Sequence, residues 1–547
     1  MGIYVNPTIQ AFEEAVNSDI YVDKTEMILD INQVVGTKQK YISVSRPRRF
    51  GKTMAADMLC AYYGRNNKAR GVFKERKLAK ISPNNWDDQL GKYDVIRVIM
   101  TDFIKKDVSV EKSLATMKHR ILDELSEIYP KISADDSDLF YNLERAYLVT
   151  KRQFVVVIDE WDAIFRILKD DNKGQLYYLD FLRDLFKDRN YIALAYMTGI
   201  LPIKKYGEHS ALNMFDEYSM ISPMQLAKYT GFTLEEVKEL CDEYNMDLDS
   251  IIEWYDGYKV AESIPLDKRE LYRSGDYDEH IIQIFSPLSV VKAMRTGVTD
   301  NYWNNTESYE ALAEYIRRNY DGLKEDIALL MDDARMKVNF SKYQNDMTSF
   351  QNKDDILTLL IHLGYLSYDA ESEEVFIPNK EVLDVFRDST SDEEWKGTFE
   401  AYDKSVKLVE ATWNCDEEEI ANALEQAHDK ADNKTYYDEE ALSYAVRYAY
   451  YAAQKYYSVL KELDSGKGYA DLVFIPSPKY SQKPLIIIEL KNGKSPEEAL
   501  QQIIDRNYVS EFEHYKGNII AIGVNYDGDL KNTQENYKRH SCKIRKF

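Results

Sequence analysis

Tyr41-Ile42-Ser43-Val44-Ser45-Arg46-Pro47-Arg48-Arg49-Phe50-Gly51-Lys52-Thr53 is the stretch whose reading decides the fold. An apolar run broken by small polar residues reads as a strand, and Pro47 ends it. Met54-Ala55-Ala56-Asp57-Met58-Leu59 then reads as a helix. Strand, loop and helix with Gly-Lys-Thr at the turn is the layout of a phosphate-binding P-loop. Its physical basis is the partial positive charge of the helix N-terminal amides, a full charge on Lys52, and a Thr53 hydroxyl able to ligate Mg²⁺. Arg48, Arg49, Phe50 and Gly51 complete the candidate cradle. One departure stands out. The usual motif has glycine five residues before Gly51, and here Arg46 occupies that position, so the loop is expected to turn without a free left-handed residue there.

Working outward, a strand is expected at Asp94–Met100, followed by amphipathic segments at about 108–128 and 134–150. Gln153-Phe154-Val155-Val156-Val157-Ile158-Asp159-Glu160 is apolar and β-branched until its end, as in a strand covered on both faces. A helix near 174–188 and a strand at Tyr191–Gly199 complete an alternating order, which implies a doubly wound α/β core. Asp159, where the strand emerges, is the expected partner of the P-loop on Mg²⁺. Glu160 is placed to polarise an attacking water. Thr198 is a candidate sensor of the γ-phosphate, and Arg183 and Arg189 are candidate arginine fingers in an oligomer. Upstream, Tyr21-Val22-Asp23-Lys24-Thr25 reads as a turn into a short helix with its charges facing solvent.

From about residue 220 the texture changes to short helices joined by turns, with Thr233 as a helix N-cap ahead of Glu235-Glu236. A helix over Asp355–Leu360 and a hairpin at Gly364–Tyr368 and Val375–Pro378 suggest a helical lid with a small winged element. An acidic stretch near Asp388–Glu394 is the expected linker to a last domain.

That last domain carries a second constellation. Gly468–Pro476 reads as a strand bearing Asp471, and Pro484–Lys491 as a second strand. Side chains alternate along a strand, so Glu489 and Lys491 emerge on one face. Charges at the end of so apolar a strand cost desolvation energy unless a metal or partner offsets it. Asp471 and Glu489 on neighbouring strands are suited to a hard divalent cation, and Lys491 to orienting or activating water for phosphodiester cleavage. A helix over Glu497–Asn507 presents Gln502, a strand follows at Asn518–Val524, and a helix starting near Glu439 offers Glu440 as a further acid.

Composition sets the bounds. A chain of 547 residues is too long for one core. With 44% hydrophobic and 30% charged residues it reads as globular. A net charge of −23 argues against binding nucleic acid over the whole surface, so any such contact is local. Lys538, Arg539, Lys543, Arg545 and Lys546 near the C-terminus are the candidates. Four scattered cysteines fit a reducing compartment and no zinc cage. The N-terminal residues lack a basic start and an apolar run, and no run approaches membrane-spanning length. No membrane association and a cytoplasmic location are therefore expected.

Taken together, these residues resemble a two-domain bacterial family, AAA-ATPase-like proteins fused to a PD-(D/E)XK nuclease-like domain. The resemblance rests on Tyr21-Val22-Asp23-Lys24-Thr25, Arg46–Thr53, Asp159-Glu160, Thr198-Gly199, Gly231-Phe232-Thr233, Trp254-Tyr255-Asp256-Gly257-Tyr258, Ile377-Pro378-Asn379-Lys380-Glu381 and the set Asp471, Glu489, Lys491, Gln502. The Arg-Pro-Arg-Arg-Phe-Gly-Lys loop is similar to that family's own P-loop. The family's nuclease motif commonly has an arginine or glycine before the aspartate, where Tyr469-Ala470 stands here. The resemblance implies an α/β, AAA-like P-loop domain over 1–220, a helical lid with a winged-helix-like element over 221–387, and an α/β restriction-endonuclease-like domain over 395–547. It further implies ATP and Mg²⁺ as cofactors, Walker B acids at Asp159 and Glu160, and a nuclease core of Asp471, Glu489 and Lys491. The reading that follows is a nucleotide-controlled, metal-dependent nuclease acting on DNA or RNA, as a possible homo-oligomer. Two alternatives remain: a nucleotide-dependent switch whose nuclease-like domain only binds, and a defence or mobile-element component whose partner supplies the target.

Overall fold

A computed structural model describes residues 2–130, 138–203, 212–264, 266–274, 280–303, 309–341, 343, 350–430, 439–464, 469–506, 508–527 and 539–547. The chain divides into two compact units: residues 1–315 with 336–386, and residues 316–335 with 387–547. Residues 316–335 fall within the span expected for the lid, yet they pack with the second unit. Tyr451 donates a hydrogen bond to Asp326, and Lys455 pairs with Asp332 at 2.8 Å. Between the helices Lys380–Ser389 and Glu393–Asn414, the expected acidic linker is reduced to a break of a few residues.

The first unit is built on a parallel sheet. Its strands are β1 (Tyr41–Ser45), β2 (Asp94–Ile99), β3 (Phe154–Asp159), β4 (Ile192–Gly199) and β5 (Asp216–Tyr218), in the order β2-β3-β4-β1-β5. Every residue of β1, β3 and β4 is buried, as expected of strands covered on both faces. Helices Val110–Ile128 and Leu139–Thr150 account for the two amphipathic segments, the second from residue 138 because 134–137 lie outside the described residues, and Asn172–Phe186 for the helix expected near 174–188. The strand order places β4 between β1 and β3. The P-loop, Thr198 and Asp159 therefore leave three adjacent strands at their C-terminal ends, where open α/β sheets bind ligands.

The rest of this unit holds two small sheets. One contains β6 (Phe232–Thr233), β7 (Tyr258–Ala261) and β8 (Ile281–Phe285), in the order β6-β8-β7. The other contains β9 (Met336–Lys337), β10 (Ser367–Asp369) and β11 (Glu374–Phe376), with helix Lys353–Leu363 leading into the β10–β11 hairpin. Thr233 caps helix Leu234–Tyr244 in a full capping box with Glu236.

The second unit is a mixed sheet in sequence order: β12 (Tyr457–Asp464), β13 (Tyr469–Pro476), β14 (Leu485–Asn492), β15 (Ile519–Tyr526) and β16 (His540–Lys546). Only β14 and β15 run parallel. Ile486, Ile488 and Leu490 face a core shared with Leu408, Ile420 and Leu442. On the other face Ile487 packs with Ile503 of helix Pro496–Asp505. Glu489 and Lys491 continue the Ile487 face by the two-residue alternation of a strand.

Candidate functional site

The P-loop turns in a way the motif alone does not predict. Left-handed backbone occurs at Arg49 (φ 67°) and Gly51 (φ 85°), while Arg46 is buried beneath the loop. Its guanidinium donates to the carbonyls of Ser45 and Tyr218, both at 2.9 Å. Burial lowers the Arg46 pKa to about 10. The missing glycine is thus replaced by a buttress, and Pro47 and Phe50 dock the loop on residues from beyond position 220. The Gly231 amide donates to the Phe50 carbonyl at 3.0 Å, and the Phe50 ring meets that of Tyr258 edge-on at 5.3 Å. Gly364 (φ 88°) lies so close to Pro47 that a Cβ there would come within 2.8 Å of its ring. Glycine is required on both counts.

Lys52 begins the helix Lys52–Tyr63, and its ammonium is folded back on the carbonyls of Arg46 (2.9 Å) and Pro47 (2.7 Å). Burial lowers its pKa to about 8, against the pull of Asp162 and Asp159. Thr53 is exposed at the helix N-terminus. Asp159 is buried. Its Oδ1 accepts from the Thr198 hydroxyl and from the Glu160 amide at 3.0 Å. Thr198 is itself buried behind Asp159 and does not line the cleft, so its hydroxyl orients the acid. Arg48, Arg49, Phe50, Gly51, Lys52, Thr53, Asp159 and Glu160 all line one cleft of about 830 Å³, within the range of small-molecule sites.

Several contributors to this cleft were not legible in the sequence. Ile20–Val22 from the N-terminal segment and Leu288, Val291 and Arg295 from beyond residue 220 also line it. The charges of the Tyr21–Thr25 stretch do not face solvent. Asp23 accepts from Thr25 and from the Lys77 amide, and Lys24 binds the Lys228 carbonyl (2.6 Å) and Glu236 (2.5 Å). These bonds fix the segment that brings Ile20–Val22 to the cleft. Of the two proposed fingers, Arg183 pairs with Asp180 at 2.6 Å, and Arg189 donates to the Asp184 carbonyl at 2.8 Å.

In the second unit the β13–β14 ladder runs from Phe474↔Ile486 to Leu472↔Ile488 and stops there. Continuing that register sets Asp471 opposite Glu489. The Leu490 amide instead donates to Asp471 Oδ2 at 2.7 Å, so a side chain replaces the ladder bond and the two strands part. Glu489 is buried. Its Oε1 accepts from Lys491 Nζ at 3.0 Å and from the Gln502 amide, while Oε2 has no hydrogen-bond partner among the described residues. Burial and the neighbouring Asp471 raise the Glu489 pKa to about 7, despite Lys491. Asp471, Glu489, Lys491 and Gln502 are therefore brought together.

The side chain of Glu440 and all of Lys538 lie outside the described residues. Among the described residues there is no group of three or more potential His, Cys, Asp or Glu metal ligands. The tail cations expected to meet nucleic acid are partly engaged: Arg539 pairs with Glu425 at 3.1 Å and Lys543 with Glu417 at 2.8 Å. Gly523 was missed for want of a pattern. It stands beside Glu489 in β15, and a Cβ there would lie 2.1 Å from the Pro496 carbonyl and 2.6 Å from the Leu500 amide. Its lack of a side chain lets the Gln502 helix reach the sheet.

Residues 7–207 match the family described as "Predicted AAA-ATPase", and residues 438–536 match the PD-(D/E)XK nuclease superfamily. The chain joins an AAA-ATPase-like domain to a PD-(D/E)XK nuclease-like domain. It is 25% identical over 298 residues to an uncharacterized protein in the vnfD 5′ region of Azotobacter chroococcum mcd 1. That match covers 52% of this chain and 54% of the relative, so the chain spans about half the relative's length. Among solved structures, Cdc6p from Pyrobaculum aerophilum aligns over 71% of this chain and 98% of its own, at 11% identity and a TM-score of 0.24. The Aeropyrum pernix ORC2 protein, in its ADPNP–ADP complexes, aligns over 68% and 96%, at 12% identity and a TM-score of 0.27. The AAA-ATPase-like region holds most of the parallel sheet, and the PD-(D/E)XK region most of the mixed sheet. Among the described residues, no helix is long and apolar enough to cross a membrane.

Proposed function

We propose that the AAA-ATPase-like domain binds and hydrolyses ATP with Mg²⁺, and that nucleotide controls a metal-dependent nuclease that cleaves DNA or RNA in the cytoplasm. The observation that carries the nuclease half is the buried Oε2 of Glu489, without a hydrogen-bond partner among the described residues, on a strand that parts from its neighbour at Asp471. Two carboxylates so placed suit a hard divalent cation, which when bound supplies Lewis acidity toward a phosphodiester and lowers the pKa of water. Glu489 and Asp471 would hold that ion, with Glu440 the candidate third acid. Lys491 holds one Glu489 oxygen and carries a positive charge beside the position of an incoming phosphate, while Gln502 fixes the same carboxylate from the covering helix.

In the first domain, Lys52 exchanges its two loop carbonyls for phosphate oxygens, and Thr53 and Asp159 would hold Mg²⁺. Glu160 is the group assigned to polarise water.

The test uses the full chain. MgATP and MgGTP are titrated into wild type and Lys52→Ala, and mixed DNA and RNA substrates are incubated with Mg²⁺ or Mn²⁺, with and without ATP, using wild type and Glu489→Ala. Saturable ATP binding lost in Lys52→Ala, with cleavage lost in Glu489→Ala, supports the proposal. Binding without cleavage by either protein moves the reading to a nucleotide switch with a non-catalytic nuclease-like domain.

A further inference from the structure

Glu160 leaves β3 with φ 51°, a left-handed conformation that a non-glycine residue rarely adopts. Two bonds hold this turn: the Glu160 amide on Asp159 Oδ1, and the Trp161 amide on the Thr198 carbonyl at 2.9 Å. So placed, Glu160 lines the cleft. Its Oε2 accepts from Arg166 at 3.0 Å, and Oε1 makes no hydrogen bond among the described residues. Arg166 Nε donates to Asp162 Oδ2 at 3.2 Å. That same oxygen accepts from the amides of Ile200 (3.0 Å) and Leu201 (2.9 Å), in the loop that follows Thr198. Asp162 is wholly buried and Arg166 is 11% exposed, whereas the Glu160 side chain is 40% exposed.

We infer that Arg166 is a positioning residue for ATP hydrolysis: its guanidinium, anchored on Asp162, fixes one oxygen of Glu160 and leaves the other turned to the attacking water. This rests on the proposed hydrolysis, in which water oxygen bonds to the γ-phosphorus, the bridging P–O bond breaks to release ADP, and the water proton passes through Glu160 to the phosphate formed. Three donors on Asp162 make it a fixed post, and the planar fork of arginine spans the two acids as a lysine ammonium does not. Without the fork an exposed glutamate has its full rotamer freedom, and a misplacement of about 1 Å costs on the order of a hundredfold in rate. Affinity is spared, because Lys52 and Thr53 grip the phosphates independently.

The experiment measures ATP turnover, ATP affinity by titration and thermal stability in full-length wild type, Arg166→Ala, Arg166→Lys, Arg166→Gln, Glu160→Gln and the double variant Arg166→Ala/Glu160→Gln. The expected result is a kcat about ten- to a hundredfold lower in Arg166→Ala, not restored by lysine. Affinity stays within about threefold, and the double variant is no slower than Glu160→Gln. Arg166→Gln, which keeps one donor arm, carries the same test if the alanine variant does not fold. Wild-type turnover in folded Arg166 variants, multiplied losses in the double variant, or a tenfold loss of affinity overturns the inference and leaves the hydrolytic reading standing. Absence of turnover in wild type ends both.

Discussion

The two clusters of charge differ in how far the protein satisfies them. At the P-loop, Lys52 rests on two carbonyls, Asp159 on Thr198 and an amide, and Glu160 on Arg166. In the PD-(D/E)XK-like domain, Glu489 is buried opposite a second acid with one oxygen left over, and its pKa is raised to about 7. The nucleotide-site groups Lys52, Asp159 and Glu160 have partners in hand while they wait for a ligand, although Arg46 Nη2 and Asp162 Oδ1 beneath them lack one among the described residues. At the second site the orphaned carboxylate oxygen carries a standing desolvation penalty that a cation would remove. The first site is therefore expected to stay folded without nucleotide, and the second to gain stability from metal.

The largest expected effect breaks or upholds that contrast directly. Glu489→Ala should abolish metal-dependent cleavage, by about a thousandfold or more, while leaving ATP affinity at the wild-type value. Gel-based cleavage and nucleotide titration check it, and equal cleavage by the two proteins would remove the second site from consideration. Next comes Lys52→Ala, for which ATP affinity should fall about a hundredfold as a charge-assisted grip is lost. Cleavage that depends on ATP should fall with it, and cleavage measured without ATP should not.

Gly523→Ala tests whether the helix at the second site is held by close approach. Pushing the helix backbone outward should cost about 1–3 kcal/mol in urea unfolding. It should also weaken cleavage by withdrawing Gln502 from Glu489, with ATP binding unchanged. If cleavage survives intact, Gln502 is not needed where the structure puts it.

The smallest effect uses a third buried acid as a control. Glu381 has a pKa raised to about 7 by burial, yet both its oxygens are bonded, to Ser289 (2.8 Å) and to the amides of Tyr302 (2.7 Å) and Trp303 (2.8 Å). A carboxyl whose folded pKa lies above its unfolded value of 4.5 binds its proton longer when folded, so stability declines as pH rises from about 4.5 to 7. Glu381→Gln should therefore match wild type near pH 5 and exceed it by about 1–3 kcal/mol at pH 8 in denaturant titrations. Divalent metal should not change that difference, whereas it should change the corresponding difference for Glu489→Gln.

Much of this was legible along the chain. The P-loop helix, the fully buried Phe154–Asp159 strand, the Thr233 cap and the alternation that joins Glu489 to Lys491 all follow from local period and local hydrogen bonding, which neighbouring residues encode. Other readings failed where distant segments decided the outcome. Lys24 was expected in solvent because nothing near it in sequence shows Glu236, the residue it meets. Arg46 read only as a departure from the usual loop because the Tyr218 carbonyl that holds it lies far along the chain. Arg166 gave no signal, since its meaning depends on Asp162 catching the loop that follows β4.

By itself the sequence determined which residues carry charge at the ends of apolar strands, and hence the two chemistries on offer, because strand and helix periods are set by backbone geometry over a few residues. Only the tertiary structure decided which charges are met and which are left over. Parting strands at Asp471, a helix drawn close over Gly523 and a buried arginine beneath the P-loop depend on contacts between segments far apart in the chain, and no local period records them.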